Sequence, residues 1–99
     1  MTPQSEHFVN GGYVEAVLVW REGARSERVE QWLSQQNLRW QEMLLGLLVS
    51  GDRRTFEVAF GIDLGTAQPP VRIAVPEQLR RDVASITIPP PRQIMNPAR

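Results

Sequence analysis

The chain has 99 residues, 41% hydrophobic and 22% charged, with eleven basic and eleven acidic side chains summing to a formal charge of zero. That length holds one core rather than two, and neutrality excludes the strong field with which a nucleic-acid binder displaces counterions. Without cysteine there is no disulfide frame, thiolate nucleophile or soft metal site, and no apolar run reaches the roughly 18 residues a transmembrane helix needs.

Residues 1–11 are polar and end in the Asn10-Gly11-Gly12 turn cluster, so they read as a flexible lead-in to a domain spanning 12–88. They show no basic region followed by an apolar one, which makes the cytoplasm the expected address. From Tyr13 to Trp20, "YVEAVLVW" is rich in β-branched and aromatic residues and predicts a buried, central strand. Ser26 is a natural N-cap, and Glu27 and Glu30 suit the positive end of a helix dipole. Val29, Trp32, Leu33 and Gln36 then fall at i, i+3, i+4 and i+7, which predicts a helix over 27–36 with one buried stripe.

Asn37 is the branch point. Trp40, Met43, Leu44, Leu47 and Leu48 continue the helical period, giving one helix over 27–49. Asn is also the residue after Gly that best tolerates the left-handed conformation at a helix end. With a stop there, "LRWQEM" and "LLGLLVS" read as two strands with no good turn residue between them. Periodicity does not separate the two readings; the stop at Asn37 is the favoured one.

Asp52 is a cap candidate and Gly61 a stop signal, predicting a short helix over 53–60. "VRIAV" at 71–75 alternates as a strand. Pro76 suits a first helical position, and Leu79, Val83 and Ile86 at i, i+4, i+7 predict a further helix over 77–84. "SITIP" then closes the sheet as an edge strand, where the following proline is harmless. The order predicts an α+β domain: a ferredoxin-like antiparallel sheet with two or three helices packed on one face. The tail 89–99 opens with three prolines.

No constellation of catalytic groups emerges, so the chain reads as a binder, not an enzyme, with no cofactor and no metal. His7, the single histidine, lies in the lead-in with no scaffold to orient it. Asp52, Asp63, Asp82, Glu57 and Glu77 fit no metal or acid-base spacing, and the glycines form no phosphate cradle. Arg53-Arg54 and Arg80-Arg81 read as solvated doublets. Trp32 belongs to the helix stripe and thus the core, whereas Trp20 and Trp40 sit near element ends, where partial burial is favoured over surface anchoring.

"EQWLSQQNL", "LLVSGD", "FEVAFGIDL" and "VPEQLRRDVASITIPP", in that order, resemble the prosegment of sedolisin-type serine-carboxyl peptidases, related in fold to subtilisin prosegments. The matching positions are Trp32-Leu33, Asn37-Leu38, Ser50-Gly51, Ala59-Phe60-Gly61, Pro76, Leu79, Val83 and Ile86, within residues 13–90. Asn37 stands where the family usually has Gly, and the link between the second and third strands is unusually short. With no protease domain after Arg99, the resemblance implies a role in trans, as inhibitor or folding helper of a serine peptidase. It also implies that a sheet meets the enzyme while the tail runs toward the cleft as an extended strand. Pro89, Pro90, Pro91, Arg92, Gln93 and Ile94 would be the partner-binding contact, held extended by the prolines; read from its residues alone, "PPPRQIMNPAR" is a stiff, disordered C-terminal end. The alternative is a small adaptor or assembly protein whose helix or sheet face meets another protein or a second copy of itself as a homodimer. Neither nucleic acid nor membrane is an expected partner.

Overall fold

A computed structural model describes residues 12–65 and 67–90. Its elements run β1 (Tyr13–Trp20), α1 (Ser26–Gln35), β2 (Arg39–Met43), β3 (Gly46–Asp52), α2 (Arg53–Phe60), β4 (Val71–Ile73), a 3-10 turn (Glu77–Leu79) and β5 (Val83–Ile88). The five strands form one antiparallel sheet in the order β2-β3-β1-β5-β4, so β1 is central.

The register sorts side chains onto two faces, because directly opposed residues point the same way. Ala16 faces Val49 and Leu18 faces Leu47; on the other flank Leu18 faces Ile86, which faces Ile73. All six are buried, and this face carries the core together with Val29 and Leu33 of α1, Phe56 of α2, Leu38 and Leu79. Both helices cover it, with Trp32 of α1 against Phe60 of α2 at a ring-centroid distance of 5.5 Å. Burying a side chain the size of Phe56 or Leu33 contributes about 1.5–3 kcal/mol each.

The stop at Asn37 is present. Asn37 has φ of 63°, its N–H donates to the Ser34 carbonyl, and the Leu38 N–H donates to Leu33, each at 3.0 Å. These are the two bonds of a Schellman cap, sealed by the buried pair Leu33 and Leu38. The chain therefore leaves α1 and returns as β2 and β3, and the single helix over 27–49 does not form. α2 matches its expected span, with the Asp52 side chain accepting the Thr55 N–H at 2.8 Å and Gly61 left-handed at its end.

Several expectations are corrected. The helix over 77–84 is a single 3-10 turn, after which Val83 begins β5. Leu79, Val83 and Ile86 are all buried as the helical spacing required, but by another geometry. Trp20 pairs with Val83 and Val19 with Ser85, so Ala84 is an extra, bulged residue. The bulge lets two residues three apart both face the core, and the β-branched run Val83, Ile86, Thr87, Ile88 gains more from strand pairing than from a helix. Second, the 83–88 strand is interior and β4 is the edge, ending at Ile73 instead of running over 71–75. Third, Ser26 is the first helical residue, and the cap position falls on Arg25, whose N–H donates to the Asp82 carboxylate at 3.0 Å. Trp32 is half-buried against the core rather than within it, as are Trp20 and Trp40.

Candidate functional site

The side of the sheet that no described helix covers is defined by the alternate positions of each strand. Val17 faces Leu48 and Thr87, and Val19 faces Ser85; Leu48 continues to Gln41, Ser50 to Arg39 and Thr87 to Arg72. Val17, Val19, Leu48, Ser85 and Thr87 are half-buried, while Glu15, Arg39, Gln41 and Arg72 are exposed around them. The result is an apolar strip of modest width ringed by charges of both signs. Ser85 and Thr87 lie on this face, and the one histidine, His7, falls outside the described residues.

Pro89 and Pro90 follow β5 directly and are exposed. Pro91, Arg92, Gln93 and Ile94, the rest of the expected contact, lie outside the described residues. Continuing the β1–β5 register places Pro89 across from Glu15, where a proline has no N–H to extend the ladder. The strand pairing therefore ends where the tail starts.

The carboxylates gathered beside α2 have structural duties. An open depression of about 400 Å³ is lined by Gly12, Asp52, Arg53, Arg54, Glu57 and Asp63. Within it Asp52 caps α2, and the Thr55 backbone N–H, the largest influence, holds its carboxyl below the usual carboxylate range. Glu57 Oε2 accepts the Leu64 N–H at 2.7 Å and Arg53 Nε at 3.3 Å, and Asp63 Oδ1 accepts the Gly65 N–H at 2.8 Å. Among the described residues no three His, Asp or Glu side chains could together hold a metal ion.

Two features escaped the sequence reading. Asp82, which fits no metal or acid-base spacing in the sequence, is 3% exposed and ties three segments together. Its carboxylate takes the Arg25 N–H, its carbonyl the Arg21 N–H at 2.8 Å, and its own N–H donates to Leu79. The second is the β2–β3 turn, where Leu44 and Leu45 are 94% and 70% exposed beside an exposed Met43. Two leucines interrupting an alternating run were its only signal, and they lack the Asn or Gly that tight hairpins favour.

No family model, curated protein or solved structure matches the chain. None of its described helices is long and apolar enough to cross a membrane.

Proposed function

We propose that this domain binds a serine peptidase in trans, as a prosegment-like inhibitor or folding helper of the sedolisin or subtilisin kind. In this reading it is a cytoplasmic binder without catalytic groups of its own. The observation that carries it is the sheet face that no described helix covers, together with Pro89 and Pro90 leaving β5 exposed at its end. The face would meet the enzyme, and Pro89 to Ile94 would enter the cleft as an extended segment that is slow to be cut.

Further support comes from the positions on which the resemblance rests. Asn37 holds left-handed backbone, the conformation that would favour glycine at that position, so the departure from Gly keeps the geometry. Leu79, Val83 and Ile86 are all buried. Setting β4 aside, the order β2-β3-β1-β5 reads as a ferredoxin-like frame to which one edge strand has been added.

An inhibition titration against sedolisin- and subtilisin-type peptidases, at acid and neutral pH, tests the reading. Slow or tight inhibition of one class is expected, weakened by deletion of 89–99 with the far-UV circular dichroism unchanged. No inhibition and no complex with any member would remove the peptidase assignment. Equal inhibition by the truncated protein would remove the tail from it.

A further inference from the structure

The two edges of the sheet are unlike. β4 is three residues long, preceded by Pro69 and Pro70 and followed within three residues by Pro76, so it offers little backbone to another strand. β2 has five residues in unbroken register with β3, contains no proline, and is paired on its outer side by none of the described residues. Proline and extreme shortness both blunt β4, whereas β2 carries only the charges of Arg39 and Glu42 on a proline-free run.

Which backbone groups of β2 point outward follows from the turn. A two-residue loop at Leu44 and Leu45 makes Met43 and Gly46 the hydrogen-bonded closing pair. Alternation then directs the N–H and C=O of Gln41 and Arg39 toward β3, and those of Trp40 and Glu42 away from the sheet. We propose that β2 pairs antiparallel with β2 of a second copy, joining two sheets into one of ten strands about a two-fold axis through Gln41.

One register satisfies this edge. With Gln41 opposite Gln41 of the other copy, Trp40 of each faces Glu42 of the other, and the four outward N–H and C=O pairs all close. Arg39 then faces Met43, and no like charges oppose. Shifting so that Glu42 meets Glu42 opposes two carboxylates. Shifting the other way offers Glu42 a partner in Leu38, whose N–H is already committed to Leu33. A net charge of zero leaves no global repulsion between copies. This inference stands independently of the peptidase reading.

The contact is short, so the dimer is concentration-dependent. Sedimentation or light scattering from micromolar to millimolar protein should show the mass rising toward twice the 11.3 kDa of one chain. Glu42→Pro sacrifices no bond to β3, because that N–H points outward, and should give a folded monomer. Gln41→Cys places two thiols across the axis with Cα atoms about 4.5 Å apart, within disulfide reach. It should cross-link on mild oxidation, whereas Arg39→Cys, with its two copies about 13 Å apart along the strands, should not. A monomer at every concentration, a folded Glu42→Pro that still dimerises, or equal cross-linking of the two cysteine variants would overturn the proposal. Should Glu42→Pro fail to fold, the cysteine pair decides alone.

Discussion

At Gly46 the backbone of β3 lies so close to β1 that a Cβ would overlap the Leu18 carbonyl. The obstacle is backbone, which cannot rotate aside, so Gly46→Ala must push two central strands apart. Overpacking of this kind costs about 1–3 kcal/mol, and the rigid neighbour puts it at the upper end; a chemical-denaturation midpoint well below wild type is the expected result. Asp52 gives a pH-dependent counterpart. Its carboxyl is held below the usual range by the Thr55 N–H, so its stabilisation is present above the ordinary Asp value and is lost as pH falls through the lowered one. Asp52→Ala should therefore lower Tm at neutral pH, and the gap from wild type should close in strong acid. A gap independent of pH would mean the charge is not what caps the helix.

Between elements, Asp82 does what no local propensity announces. It anchors the β1–α1 loop to the start of β5 through Arg21 and Arg25. Asp82→Ala leaves the Arg25 N–H without its acceptor and should cost about 1–3 kcal/mol, with amide exchange accelerating first across residues 21–26. Asp82→Asn, which keeps an acceptor oxygen, should recover most of the loss. Locally encoded features were legible in the sequence: the left-handed stop at Asn37, the Asp52 cap with the Gly61 stop, and the β-branched and aromatic run of β1 each depend on neighbours within a few residues. The stretch 76–88 was not, because a helical stripe and a bulged strand bury the same Leu79, Val83 and Ile86. Pairing with β1, a contact made across more than sixty residues, decides between them. The Leu44–Leu45 turn was likewise hidden, since its residues carry no turn chemistry and only the pairing of Met43 with Gly46 defines it.

For the molecule as a whole, the sheet separates two surfaces. One is closed by both helices; the other carries no helix among the described residues, with its apolar strip at the centre and the start of the tail at one end. That face was legible only as far as the alternation of each strand, because which strands stand side by side is set by long-range pairing that single-strand patterns do not contain. Such pairing also governs how the domain bears load. β1 begins at Tyr13 beside the place where β5 finishes at Ile88, and the two run antiparallel as neighbours. A pull applied through the two ends of the fold therefore meets the bonds of the β1–β5 ladder one after another, like the teeth of a zipper, instead of all together in shear. For a domain whose ends are drawn apart by whatever it is attached to, that geometry means yielding at low force, and yielding first at the seam that holds the centre of the sheet.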